Sequence, residues 1–250
     1  MLSNEQRSQE SQYEFPYHYV PHLQGGRFSQ ARVNRWGYEY LSYLTYVLDQ
    51  LGGLAFTSLL DIGCGEGRLL HELARRRGEV SLTGVDYSAP AVAFAQAFNP
   101  TLNFACGDIT DRTLAPGPFD AVTLIDVLEH IPPAYRPAFV QAVADRVRPG
   151  GSLIVTVPST NIPVSKKHYE HFDQTTLTQA LGESFQVERV QYLNAKGLRA
   201  RWVRRLLANG LFILNNSRLA TAIYRWYCGK LLLANPGTGT RLFAQCVRVK

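Results

Sequence analysis

Residues 59–67 read Leu59-Leu60-Asp61-Ile62-Gly63-Cys64-Gly65-Glu66-Gly67. A short apolar run reaches an acid and then breaks into alternate glycines. The run predicts a buried strand that delivers the chain to the edge of a sheet. Gly63, Gly65 and Gly67 lack Cβ, so the backbone turns tightly there and approaches a ligand closely. Arg68 to Arg77 follow with helical spacing, which puts the turn at a helix N-terminus, where anionic groups are favoured. The dinucleotide fingerprint G-x-G-x-x-G is not met, because Arg68 occupies the third glycine slot.

Further strands follow with the same grammar. Leu82 to Asp86 is an apolar run ending in an acid, about 20 residues past the glycines, where an α/β nucleotide fold places a carboxylate on ribose hydroxyls. A carboxylate suits that position because it accepts from both hydroxyls. Asn103 to Ile109 is a third strand carrying Asp108, and Phe119 to Asp126 a fourth. Arg148-Pro149-Gly150-Gly151 then turns into a fifth, Ser152 to Val157.

The D-x-G-x-G-x-G turn and this order of strands resemble the class I S-adenosylmethionine (SAM) methyltransferases over residues 55 to 160. The resemblance implies an α/β fold with a Rossmann-like, seven-stranded sheet, and SAM as cofactor. It implies that Asp61, Gly63, Gly65, Asp86, Tyr87, Asp108, Ile109 and Asp126 form the cofactor site, with Asp108 on the adenine amino group and Ile109 on the ring. It divides the chain into an N-terminal lid segment (1–53), a SAM-binding core (54–193), a basic helical insertion between the last two strands (194–240) and a final core strand (241–250).

The fourth strand leads into Asp126-Val127-Leu128-Glu129-His130. This acid-x-x-Glu-His segment is similar to the metal-binding segment of ubiquinone-biosynthesis O-methyltransferases and of small-RNA 3′-terminal ribose 2′-O-methyltransferases. The likeness implies a divalent metal, Mg²⁺ or Mn²⁺, on Asp126, Glu129, His130 and His171, and Glu129, His130 and His171 as catalytic residues. His168 and His171, three apart, are the candidates for the later histidine that completes such a site. Carboxylates with imidazoles suit these ions, which would acidify an acceptor hydroxyl. Asp126 stands where those families have Glu, a shorter reach by one methylene. A metal-free imidazole base and a structural role stay open as alternatives for His130. His22 and His71 read as surface or packing residues.

The acceptor side is set by other features. Seven of the 13 tyrosines lie in the first 46 residues, and Tyr17, His18 and Tyr19, with His168, are candidate substrate contacts. Asn34 to Leu51 predicts a helix ending at Gly52-Gly53. Phe185 to Val190 and Leu242 to Val249 predict the last two strands, and Thr176 to Leu181 a helix capped by Thr175. The expected acceptor is a small molecule, sugar or lipid-linked biosynthetic intermediate, methylated on oxygen. The alternatives are an RNA ribose 2′-hydroxyl and a non-catalytic SAM-binding protein.

The chain has 250 residues and 46% hydrophobic composition, enough for one α/β core. No apolar run approaches the roughly 18 residues of a membrane span, and the polar Met1 to Ser11 is not signal-like. The four scattered cysteines show no C-x-x-C pairing and read as reduced thiols. The expected location is therefore cytoplasmic, with peripheral membrane attachment an option. Net charge is +6, yet residues 191–250 carry 11 Lys and Arg and no acid. Within the insertion, Leu198, Trp202 and Leu206 recur at helical spacing with Val203 and Leu207 beside them and Arg201, Arg204 and Arg205 opposite. A second helix is expected from Ser217, with Leu219, Ile223, Trp226 and Tyr227 apolar. Residues 196–230 are thus a candidate surface for an anionic membrane or RNA, or a pair of helices packed on the core.

Overall fold

Period-2 burial organises the centre of the molecule. In β3 (Ser58–Ile62), Leu59 and Leu60 are both fully buried, but they belong to apolar clusters on opposite faces of one sheet. The structure, a computed structural model, describes residues 23–24, 27–28, 37–208, 212, 214 and 216–249. Tyr17, His18, Tyr19 and His22 lie outside the described residues. The pair β1 (Leu23–Gln24) and β2 (Arg27–Phe28) is antiparallel. Helix α1 (Gly37–Gly52) precedes β3, and the following elements alternate: α2 (Arg68–Arg76), β4 (Ser81–Asp86), α3 (Ala89–Phe98), β5 (Asn103–Cys106), β6 (Phe119–Ile125), α4 (Arg136–Arg146), β7 (Val147–Pro158), α5 (Gln174–Leu181) and β8 (Phe185–Ala195). The insertion contributes α6 (Leu198–Leu207) and α7 (Ser217–Lys230), followed by β9 (Leu233–Ala234) and β10 (Gly239–Arg248).

The main sheet has the order β5-β4-β3-β6-β7-β10-β8-β9. Strands β3 to β7 are parallel, and β10 lies antiparallel between β7 and β8. The chain reverses its direction of travel across the sheet between β3 and β6. In open α/β sheets a crevice opens at such a point, outside the carboxyl ends of the strands, and ligands bind there. The glycine turn after β3 and the Asp126 segment after β6 both emerge at it.

One face of the sheet is covered by α1 and α2, through Leu44, Val47, Leu51, Leu70 and Leu73. The other is covered by α4 and α5, through Phe139, Val143, Leu177 and Leu181. A third cluster joins Tyr38 and Leu41 of α1 to Val203 and Leu207 of α6 and to Ala220, Tyr224 and Tyr227 of α7. The rings of Tyr38 and Tyr227 meet edge-on at 4.9 Å, and Arg204 pairs with Glu39 at 3.0 Å.

Several expectations are corrected. The sheet has eight strands, because the two-residue β9 adds to the outer edge of β8. Helix α5 is capped by Asp173, whose carboxylate accepts from the Thr176 N–H, and not by Thr175. Helix α7 is capped by Asn216 in place of Ser217. Arg148 to Gly151 is a bulged part of β7 and not a separate turn before it. The expected apolar face of α6 is split. Val203 and Leu207 are buried, while Leu198, Trp202 and Leu206 are exposed.

That split gives a test. Leu207→Ala should lower unfolding free energy by about 2–4 kcal/mol, as expected for a leucine truncated in a core. Leu206→Ala, one residue away, should change it by no more than ~0.5 kcal/mol. Urea titration of the two variants reads the difference, and equal losses would mean that α6 is seated differently.

Candidate active site

The glycine turn is shaped by what surrounds it. Gly63, Gly65 and Gly67 adopt φ of 74°, 53° and 77°, the left-handed region that L residues avoid. At Gly63 a Cβ would also lie 2.4 Å from the Val127 side chain, so a methyl group there collides with the segment after β6. The turn is tied to the next strand. Gly63 and Cys64 N–H donate to the Val85 carbonyl at 2.7 and 3.1 Å, and Gly65 N–H donates to the Asp86 carboxylate at 2.9 Å. The other Asp86 oxygen accepts from Ser88 N–H at 2.9 Å. Burial raises the Asp86 carboxyl, and the Ser88, Gly65 and Tyr87 N–H groups pull it back down.

The remaining cofactor candidates differ in setting. Asp61 is buried and accepts from the Thr123 hydroxyl at 2.6 Å. Desolvation pushes its carboxyl up to about 7 against the pull of Thr123, and the charges of Asp86 and Glu66 add to the rise. Asp108 is exposed at the end of β5 and accepts from both Thr110 N–H and its hydroxyl at 2.8 Å. Tyr87 is half-buried, and Ile109 is buried in the central core.

Asp126 is a hub. It is a non-glycine residue at φ 59°. One carboxylate oxygen accepts from the Tyr43 hydroxyl of α1 at 2.6 Å, and the other from the Thr156 hydroxyl of β7 at 2.9 Å. Arg241 of β10 completes the set with an ion pair to Asp126 and lies 4.0 Å from the centre of the Tyr43 ring. Tyr43, Thr156 and Arg241 were not signalled by any local pattern.

Beyond Asp126, a short 3₁₀ turn at Leu128–His130 presents Glu129 and His130. The loop after β7 folds over this turn, with Tyr169 N–H donating to the Glu129 carbonyl at 2.8 Å. The Arg136–Glu170 ion pair, 2.7 Å long, pins the loop to α4. One ligand atom from each of Glu129, His130 and His168 lies within 4.8 Å of the other two. His171 and Asp126 are not in this cluster, which corrects the expected ligand set. Asp126 is occupied by its three donors. His171 is buried behind His168, its Nε2 2.8 Å from His168 Nδ1.

The hydrogen bonds fix which imidazole atoms are left over. His171 Nδ1 lies 3.0 Å from the Ile162 carbonyl, which only accepts, so this nitrogen carries the proton. In the neutral ring, His171 Nε2 then holds a lone pair and accepts from His168 Nδ1–H. His168 is left with a bare Nε2. His130 Nδ1 donates to the Lys167 carbonyl at 2.9 Å, so its Nε2 is bare as well. Beside these two acceptors stands Glu129, 1% exposed, with one carboxylate oxygen that has no hydrogen-bond partner among the described residues. Burial pushes the Glu129 carboxyl up to about 8. Burial lowers His130, and it lowers His168 to about 3 with further contributions from His130, His171 and Lys167. Two bare imidazole nitrogens and a carboxyl oxygen without a partner thus converge. That donor set fits a divalent cation.

Residues 59–151 match the family described as a methyltransferase domain. The ubiquinone biosynthesis O-methyltransferase of Alkalilimnicola ehrlichii is 41% identical over 124 residues, 47% of this chain and 48% of the relative. The chain spans about half the length of the curated relatives it matches. Magnesium protoporphyrin IX methyltransferase from Synechocystis PCC 6803, solved with bound SAM, superposes at TM-score 0.60 with 17% identity, over 99% of this chain and 98% of that one. The 4+2 cyclase SpnF superposes at TM-score 0.64 with 16% identity, over 98% of this chain and 96% of that one. At such identities the structures share the fold alone. With the strand–acid–glycine series and the sheet order, residues 59–151 are similar to the methyltransferase domain of class I SAM-dependent enzymes.

Asp61 supplies a test of the site's electrostatics. An unfolded aspartate titrates near 3.9, so the native protein holds this proton more tightly between about pH 4 and pH 7. Stability contributed here falls as pH rises through that window, and the cost of the buried charge is complete above it. Asp61→Asn carries no such cost. It should stabilise the ligand-free protein by something on the order of 1–3 kcal/mol near pH 8, and by much less near pH 5. Thermal melts of both proteins across pH would show a widening gap, and parallel curves would contradict it.

Proposed function

We propose that this protein transfers a methyl group from SAM to a hydroxyl oxygen of a small-molecule or lipid-linked acceptor, with a divalent cation at Glu129, His130 and His168. The observation that carries the reading is the convergence of two bare imidazole nitrogens and the buried Glu129 carboxyl beside the crevice that the glycine turn opens. The O-methyltransferase relatives support oxygen as the acceptor atom.

Bound SAM would supply an electrophilic methyl carbon. A cation would supply Lewis acidity toward the acceptor hydroxyl. The protein does the rest by placement. Gly63 and Gly65 would let the backbone approach the cofactor, and Asp86 and Asp108 would accept from its ribose and adenine. Glu129, His130 and His168 hold their lone pairs toward a common point, while His171 keeps His168 in the required tautomer. His168 is too weakly basic to take the hydroxyl proton at neutral pH, so it serves better as a ligand than as a base. Asp126, clamped by Tyr43, Thr156 and Arg241, fixes the start of the turn that bears these residues.

Two measurements bear on the reading separately. Asp86→Ala should weaken S-adenosylhomocysteine binding by about 1.5–3 kcal/mol, the range for hydrogen bonds to charged groups. Calorimetry checks this, and unchanged affinity would remove Asp86 from the cofactor site.

The cation can be followed without the acceptor by electron paramagnetic resonance of Mn²⁺. The wild type should bind one ion, and Glu129→Gln and His168→Ala should abolish binding. His171→Ala, acting through His168, should weaken it about 10–100-fold. A wild type that ignores Mn²⁺ would leave His130 as a metal-free base.

A further inference from the structure

Helices α6 and α7 leave apolar surface uncovered on the side away from α1. Leu198 is 63% exposed, Trp202 57%, Leu219 49% and Trp226 44%. Between the helices lies a groove of about 440 Å³, walled by Trp202 and Leu206 on one side and by Ala222, Ile223 and Trp226 on the other, with Arg199 at its rim. The connection between the two helices contains Leu211-Phe212-Ile213-Leu214, and Phe212 is 49% exposed. The surrounding charge has one sign. Residues 196–230 hold eight Lys and Arg and no acid, and all eight are exposed. Arg205 lies 5.4 Å from the centre of the Trp202 ring, so cation and aromatic share one surface.

We infer that the α6–α7 unit docks the protein on an anionic lipid bilayer. Basic residues rim the unit and suit the negative leaflet surface. The tryptophans and leucines suit the boundary between headgroups and acyl chains. Neither competing partner fits as well. A second copy of this surface would set two cationic rims against each other. RNA would use the arginines but leave six large aliphatic and aromatic side chains in water.

The location adds a consequence. Ala195 at the end of β8 pairs with Gly239 at the start of β10, and Arg241 pairs with Pro158 at the carboxyl end of β7. The helices therefore leave the sheet at the edge where Gly63, Asp86 and Asp126 emerge. Docking would bring the catalytic edge toward the membrane, which is what a lipid-linked acceptor requires. The docking itself is read without methyl transfer, so it stands or falls separately from the activity.

The test is co-sedimentation of the full chain with vesicles of phosphatidylcholine alone or mixed equally with phosphatidylglycerol. Tryptophan emission is a second readout, because two of the three tryptophans flank the groove. Binding to the mixed vesicles at low salt, a blue shift, and loss of both at high salt are expected. The double variant Trp202→Ala/Trp226→Ala and the triple variant Arg201→Ala/Arg218→Ala/Arg225→Ala should each weaken partitioning roughly tenfold or more. Both should keep wild-type circular dichroism and S-adenosylhomocysteine affinity, since every altered residue is exposed. The inference is overturned if the wild type stays in the supernatant at low salt, or if the tryptophan variant binds as well as wild type. It is equally overturned if the blue shift follows protein concentration without vesicles, which would mark self-association, or if RNA binds where vesicles do not.

Discussion

The Asp126 carboxylate is the constraint on which the site depends. It sits at the end of the central strand β6 in a left-handed conformation that costs free energy for any residue but glycine. Its donors come from α1, β7 and β10. One half-buried anion therefore sets the position of the N-terminal helix against the antiparallel edge of the sheet. It also sets the direction in which the chain leaves β6, and hence where Glu129 and His130 stand. Tyr43 serves two structures at once, because its ring belongs to the apolar cluster under α1 while its hydroxyl ends on Asp126. A carboxylate with three donors has little capacity left for a further ligand, whereas the next turn carries groups whose lone pairs are uncommitted.

On that turn the decisive feature is an imbalance of acceptors over donors. Buried polar groups are ordinarily hydrogen-bonded, and an exception calls for an explanation. At Glu129 the exception coincides with two imidazoles whose protons are committed elsewhere, His130 to a backbone carbonyl and His168 to His171. The chain Ile162 carbonyl–His171–His168 runs from backbone to site. The outermost member only orients the next, in the manner of the outer partners of metal-binding histidines. The loop that carries both histidines is held by the Arg136–Glu170 pair and by the backbone bond to Glu129, so the site is preorganised by contacts that are not part of its chemistry.

The insertion follows a different logic. Its buried face is completed by α1, so the three helices form a cluster of their own beside the sheet. On its other face Trp202, Leu219 and Trp226 are exposed, and residues 196–230 carry no acid of their own. A helix pair that packed only for stability would bury its tryptophans. Here the tryptophans stay at the surface while smaller Val203 and Ala220 go inside. The unit therefore keeps an aromatic and basic surface exposed.

The parallel strands, the glycine turn and the acids at the ends of β3 and β4 and just past β5 were legible in the sequence. Each depends on local patterns: burial alternating with period 2, and backbone angles open only to glycine. Also legible were the Glu129-His130 turn and the one-sided charge of the last sixty residues. Tertiary structure decided what local patterns cannot encode. Asp126 and Arg241 are 115 residues apart, and nothing near either announces the other. His168 and His171 are equivalent by spacing. Which one faces the site was set by the Ile162 carbonyl, which captures a proton of His171 and turns His168 outward. The apolar stripes of α6 are likewise adjacent and similar in composition. Which stripe is buried depends on where α1 and α7 lie, because helical periodicity names the candidate faces and only the neighbouring helices choose between them.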